Sequence, residues 1–314
     1  MNTNDFYLKE LLEVSVQTSI ETLTYFGKLD KYQADKVAVE KMRLSLEQKK
    51  FISRIIIGEG EKDEAPMLYE NELLGSGLHE IDLAVDPLEC TSNFAKGLPN
   101  SMSVLAYTEK DCMHRIPGTY MEQWVASSKM KEPFQPNLGV KENLRVLAES
   151  LGKKISELRI VVQDRERHAA LISELRELNC SVCLIDSGSL SCVMDICFDI
   201  GNYDAMIGIF GAPEGIISAI IAKATHSEFK GILRPHEKKY AEQWKDLGRT
   251  ENEVLDKSDF VRGEIFGFVA TCLSGNNFLK GIQKNAETYF CNSVILKPNE
   301  IRFETTEVHR FERS

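Results

Sequence analysis

The sequence predicts an α/β chain whose second half holds a parallel sheet with crossover helices. From about residue 156, short apolar strands alternate with helical stretches: "LRIVVQD" before "RERHAALISELREL", "CSVCLID" before "LSCVMDI", and "AMIGIF" before "IISAIIAKAT". That alternation is the mark of βαβ units. Earlier in the chain, two helical stretches precede two apolar strands, and each strand runs straight into a carboxylate-rich loop.

The elements follow in order. Residues 5–26 place Phe6, Leu8, Leu11, Leu12, Val14, Ile20 and Leu23 at helical spacing. A second helix is expected over 33–49, after Gly27 and the polar "KLDKYQAD". Arg54 to Ile57 read as a buried strand entering "GEGEKDEAP", and "IDLAVD" as another entering "PLECTS". "NSMSVLAYTEK" is expected beside it as a hairpin or sheet neighbour, and 112–135 as strands and loops. A charged helix is expected near 236–247, with only short pieces after it. No Pro/Gly-rich linker divides the chain, so one compact unit is expected, with an α+β part over 1–155 and an α/β part over 156–314.

Composition narrows the function. The 314 residues are 43% hydrophobic, enough for a large core, and the formal net charge is −10. That charge argues against a nucleic-acid binder, whose affinity comes from Lys and Arg on phosphates. Small phosphorylated substrates stay open, because a metal ion can supply positive charge locally. The sequence contains no membrane-length apolar run, and "MNTNDFYLKE" lacks a signal peptide's basic and apolar regions, so a soluble cytoplasmic protein is expected. The 8 cysteines are then expected to be free thiols. Cys180 and Cys183 form C-x-x-C, but on a strand their odd offset sends them to opposite faces, which favours plain burial over zinc or redox work.

Two acidic segments carry the chemistry. In "DLAVDPLECTSNFAKG", Asp86, Glu89, Thr91 and Ser92 crowd the end of an apolar run, where carboxylates need pairing, hydrogen bonds or a cation. A turn followed by a helix cap would also account for that segment alone. In "GEGEKDEAP", Glu59, Glu61 and Asp63 alternate and would share one side of extended backbone. Alone, it reads equally as a solvated loop capping the next helix. Together the two segments suggest an oxygen-only site suited to Mg²⁺ or Mn²⁺. Ligands of open α/β sheets sit beyond the carboxyl ends of the strands, so the turns "RERH", "SGS" and "GAPEG" are expected along one edge.

"GEGEKDEAPMLY", "DLAVDPLECTS" and "GAPEG", in that order, resemble the class II (bacterial-type) fructose-1,6-bisphosphatases, within the wider lithium-sensitive, metal-dependent sugar-phosphate phosphatases. The likeness runs from about residue 5 to 240 and is looser beyond. It implies a layered α-β-α-β-α sandwich, Mn²⁺ or Mg²⁺, a homo-oligomer (dimer or tetramer) and hydrolysis of the 1-phosphate of a sugar bisphosphate. The first candidate is fructose 1,6-bisphosphate, giving fructose 6-phosphate and phosphate in gluconeogenesis. Sedoheptulose 1,7-bisphosphate, an inositol phosphate, or a non-catalytic sugar-phosphate-binding role are the alternatives. By resemblance Asp35 and Glu59 are ligands of one cation, and Asp86, Glu89 and Glu214 of a second. Thr91 would orient or activate the nucleophile beside Glu61 and Asp63. Glu89, Cys90, Thr91, Tyr120, Arg165, Glu166, Arg167, Ser187, Gly188, Ser189 and Gly211 would contact substrate, the arginines taking the remote phosphate. Lys31 resembles a basic residue near the metals, with a surface lysine the alternative, and Arg234 a substrate arginine. His168 reads as a helix-start residue rather than a base.

Two departures stand out. Cys90 occupies a position where the family has glycine, and a Cβ restricts the backbone wherever φ must be positive. Ser187-Gly188-Ser189 replaces an Asp-Gly-Asp turn, which alters the expected sugar pocket.

Overall fold

The structure is a computed structural model describing residues 2–58, 67–114, 116–117, 120–250 and 252–309. The chain forms two compact units, Met1–Met113 with Arg262–Ser314, and His114–Val261.

The first unit opens with helices α1 (Thr3–Thr22) and α2 (Lys31–Glu47), then strand β1 (Ile52–Ile57), β2 (Leu73–Gly75), β3 (Glu80–Glu89), helix α3 (Thr91–Lys96) and β4 (Met102–Glu109). Alternation decides what packs: Ile81, Leu83 and Val85 of β3 with Leu105 and Tyr107 of β4 present one apolar face. Leu8, Leu11 and Leu12 of α1 and Val39, Met42 and Leu46 of α2 cover that face. β1 and β3 run parallel, while β3 and β4 are antiparallel.

The second unit contains β5 (Tyr120–Ala126), α4 (Val140–Leu151), β6 (Arg159–Gln163), α5 (Ala169–Glu177), β7 (Ser181–Ile185), α6 (Ser189–Cys197), β8 (Ala205–Gly211), α7 (Ala212–Ala224), β9 (Glu228–Leu233), α8 (Lys238–Asp246), β10 (Leu255–Asp256) and α9 (Lys257–Phe260). Its six-stranded sheet has the order β10-β9-β5-β8-β6-β7. β6, β7 and β8 are parallel, as the βα alternation predicts, and β5 is antiparallel to β8 and β9. Helices α4 and α5 cover the face made by Trp124, Ile160, Val162 and Ile207. α7 lies on the other face, where Gly215 abuts Met121. Each unit taken by itself is layered, helices on a sheet in the first and a sheet between helices in the second, a mixed α/β architecture with two sheets.

The unit division differs from the single boundary expected at 155/156. β5 joins the later sheet, and the tail returns to the earlier one as β11 (Phe266–Cys272), β12 (Gln283–Asn285), β13 (Thr288–Lys297) and β14 (Glu300–His309). β11 zips onto β4 from Phe266↔Thr108 to Cys272↔Met102, completing the eight-stranded sheet. The tail is thus built of strands of up to ten residues, not of short pieces.

Candidate active site

In the first unit the acidic motif is a β-bulge. Asp86 pairs with Val104 and Glu89 with Met102, three steps of β3 against two of β4. Pro87, which has no N–H for a ladder, occupies that bulge. The Leu88 N–H donates to Asp86 Oδ1 at 3.1 Å, which fixes the half-buried carboxylate across the bulge. Glu89 is buried at 5% exposure.

Cys90 then turns the chain, with φ 68° and ψ 40°, the left-handed conformation that glycine adopts at least cost. Its carbonyl accepts from Asn93 N–H (3.0 Å), Phe94 N–H (3.1 Å) and Ser101 Oγ (3.3 Å). Thr91 starts α3, and its hydroxyl donates to the Leu88 carbonyl at 2.8 Å. The Thr91 proton is therefore committed, leaving Oγ as an acceptor.

Ala34 and Ala38 of α2 pack with Leu88 and Phe94, so the bulge and the helix bearing half-buried Asp35 share one small core. Lys31 Nζ donates to Ser92 Oγ at 2.6 Å, which places this lysine one residue from Thr91. β1 lies alongside β3 with Ile57 opposite Ala84. Gly58 closes against Leu68, where a Cβ would come within 2.0 Å of the Leu68 carbonyl oxygen. Glu59, Glu61 and Asp63 fall in 59–66, outside the described residues.

In the second unit one sheet edge collects the other expected residues. β6, β7 and β8 end there, and antiparallel β5 begins there, with Tyr120 opposite Gly211. Arg234, just after β9, reaches the same edge through its N–H to the Tyr120 carbonyl. Gly211 leads into α7 with Pro213 in the first turn, where proline's fixed φ suits a helix start. Glu214 folds back so far that a Cβ on residue 211 would lie 1.8 Å from its Oε2.

Arg167 donates to the Ile209 carbonyl (3.1 and 2.9 Å) and to Gln163 Oε1 (2.6 Å), and its guanidinium lies 5.0 Å from the centre of the Tyr120 ring. Burial lowers its pKa from the usual arginine value, yet an arginine stays charged. Arg165 donates to the Asp186 carbonyl at 2.7 Å and so ties its turn to Ser187-Gly188-Ser189. Gly188 is left-handed at φ 85°, and Ser189 opens α6. Glu166 is exposed.

Three expectations are refined here. Arg234 is held by Glu122 and Asn252, so its guanidinium already serves a carboxylate. His168 is buried, and both ring nitrogens meet backbone groups, Nδ1 the Gln163 carbonyl and Nε2 the Ile209 N–H, each at 2.7 Å, which fits a structural residue and not a base. Cys180 and Cys183 are free, and burial raises the pKa of both thiols.

Sequence reasoning missed two glutamines at this edge. Gln123, 1% exposed, donates to the Gly211 carbonyl at 3.0 Å, and Gln163 steadies Arg167. A buried glutamine in the apolar strand "YMEQWVA" is the signal that could have found the first. Among the described residues, no three His, Cys, Asp or Glu side chains form a cluster that could hold a metal ion. The donor types at Asp35, Asp86, Glu89 and Glu214 are nonetheless all carboxylate oxygens, the set that hard divalent cations take.

Comparison with known proteins bears on this geometry. A model of the glpX-encoded bacterial fructose-1,6-bisphosphatases matches residues 6–308. The chain belongs to this family. A D-fructose 1,6-bisphosphatase class 2/sedoheptulose 1,7-bisphosphatase of Synechococcus elongatus is 35% identical over 87% of this chain and 87% of its own length. A fructose-1,6-bisphosphatase class 2 of Haemophilus influenzae is 34% identical over 92% of this chain and 91% of its own. Two solved inositol monophosphatases are similar at a distance, one from Anabaena (Nostoc) with TM-score 0.34 and 15% identity, the other from Thermotoga maritima with 0.30 and 14%, each covering 62% of this chain and 72% of that one. Among the described residues, no helix is long and apolar enough to cross a membrane.

Proposed function

We propose that this member of the fructose-1,6-bisphosphatase family hydrolyses the 1-phosphate of a sugar bisphosphate, first fructose 1,6-bisphosphate, with sedoheptulose 1,7-bisphosphate as the alternative. Family membership and the relatives' names support this substrate class. The observation that carries the mechanism is the Thr91 hydroxyl, held by Leu88 at the end of the carboxylate-bearing bulge.

Asp35 and Glu59 would hold one Mn²⁺ or Mg²⁺, and Asp86, Glu89 and Glu214 another. When bound, the cations offset carboxylate repulsion and the phosphate's charge, the largest need of phosphoryl transfer. The chain's own residues do the rest. Asp86 is oriented by Leu88 N–H and Glu89 by burial at the bulge. Thr91 Oγ accepts a hydrogen bond from the attacking water and orients it, and Glu61 or Asp63 takes the proton. Arg165 and Arg167 receive the remote phosphate, with Tyr120 against the Arg167 guanidinium. The serine turn donates to sugar hydroxyls where aspartates would only accept. The free cysteines agree with a cytoplasmic enzyme, and a homo-oligomer, dimer or tetramer, is part of this reading.

Thr91→Val tests it by removing the hydroxyl while keeping the shape. The kcat for phosphate release should fall about 10²-fold or more with KM little changed, the scale of a misplaced reacting group. A near-normal kcat would remove Thr91 from the mechanism.

A further inference from the structure

β6 and β8 part company just before the site. Their ladder covers Ile160↔Ala205 and Val161↔Met206 and goes no further. Beyond it the His168 imidazole spans the gap. Nδ1 lies 2.7 Å from the Gln163 carbonyl, at the end of β6, and Nε2 accepts the Ile209 N–H at 2.7 Å, near the end of β8. A neutral ring with its proton on Nδ1 satisfies both contacts, and burial holds the ring neutral. Gly208 makes room, since a Cβ there would sit 3.1 Å from Nε2.

The same peptide has a second tether. The Ile209 carbonyl accepts from Arg167 Nε and Nη2, so one residue takes its N–H bond from His168 and its C=O bonds from the neighbouring Arg167. Arg167 also leans on Gln163 Oε1, and Gln163 supplies the carbonyl that meets His168 Nδ1. Each support of the Arg167 guanidinium, apart from the Tyr120 ring, is therefore a residue that the His168 ring fixes.

We infer that His168 is a positioning residue for anion recognition, setting Ile209 and Gln163 so that Arg167 is presented to the substrate's remote phosphate. This rests on the reading of the Arg165–Arg167 turn as the site of that phosphate. His168 itself meets no substrate atom; its effect passes through the geometry of Arg167.

The test compares fructose 1,6-bisphosphate with fructose 1-phosphate, which lacks the remote phosphate, in wild type, His168→Asn, His168→Gln and Arg167→Met. Asparagine keeps a donor for Gln163 and falls short of Ile209; glutamine keeps both a donor and an acceptor. His168→Asn should raise KM for the bisphosphate about tenfold, the scale of one charge-assisted hydrogen bond, with kcat within about twofold and kcat/KM for the monophosphate unchanged. His168→Gln should restore the bisphosphate preference. Equal losses on both substrates, or an unaltered preference in folded His168→Asn, overturn the inference. If Arg167→Met abolishes the preference and His168→Asn does not, the inference alone falls. If Arg167→Met leaves the preference intact, the reading of the turn falls, and the inference with it. A measurement on wild type stands apart from the folding of any variant: saturation with fructose 6-phosphate should move the Ile209 amide resonance, and an unmoved resonance counts against the inference.

Discussion

Gly211 and Glu214 share one turn so closely that a methyl group on residue 211 would overlap the Glu214 carboxylate, 1.8 Å from Oε2 and 2.5 Å from Cδ. The φ of Gly211 is −62°, which any residue adopts, so the glycine is required by contact and not by conformation. Gly211→Ala should therefore fold normally, because a side-chain end can swing away, while Glu214 is driven from its position. We expect the urea midpoint to shift little and kcat to fall by about 10²-fold, as for a displaced group of the proposed metal site. Unchanged kcat in the alanine variant would show that the Glu214 position is not used.

Cys90 holds a left-handed conformation at φ 68° that costs an L-residue about 1–2 kcal/mol. Comparing Cys90→Gly with Cys90→Ala cancels the loss of the buried thiol. The glycine variant should be the more stable by about 1 kcal/mol, read as the difference in urea midpoint at constant slope. An alanine variant of equal or higher stability would mean that the turn relaxes out of that conformation.

His168 predicts a pH dependence of stability. Burial, first, and Arg167 beside it lower its pKa from the ordinary 6.5, against the bond to the Gln163 carbonyl, which raises it. The unfolded chain then binds the proton more readily than the folded one. The histidine thus contributes stability above 6.5 that is lost as pH falls from there through the lower folded value. Urea midpoints measured from about pH 7.5 to about pH 5.5 should decline more steeply in wild type than in His168→Gln, which cannot titrate there. Parallel curves would show that His168 binds its proton equally well in the folded and the unfolded chain.

Much of this is legible in the sequence. Local rules sufficed for α1 and α2, whose apolar residues recur at helical spacing, and for β6, β7 and β8, whose alternation with helices announces a parallel sheet. Cys90 was legible as a positive-φ position from the glycine it replaces, and φ is positive there. The return of the tail was not legible, because β11 pairs with β4 across more than 150 residues and nothing local records that partner. The supports of the site were hidden for a like reason. Gln123, Gln163 and Ile209 act through contacts made only once three strands end at one edge. The Arg234 contact with Glu122 on the adjacent strand was hidden in the same way, since no local pattern pairs the two.

Phosphate release from fructose 1,6-bisphosphate by the purified protein, before and after thorough chelation and then with Mn²⁺ or Mg²⁺ restored, tests the central claim most directly. On the proposed reading, carboxylates at 35, 59, 86, 89 and 214 work together only with a divalent cation, so chelation should abolish release and either ion should bring it back. Release undiminished by chelation, or none from this bisphosphate or sedoheptulose 1,7-bisphosphate with either ion present, would contradict the account.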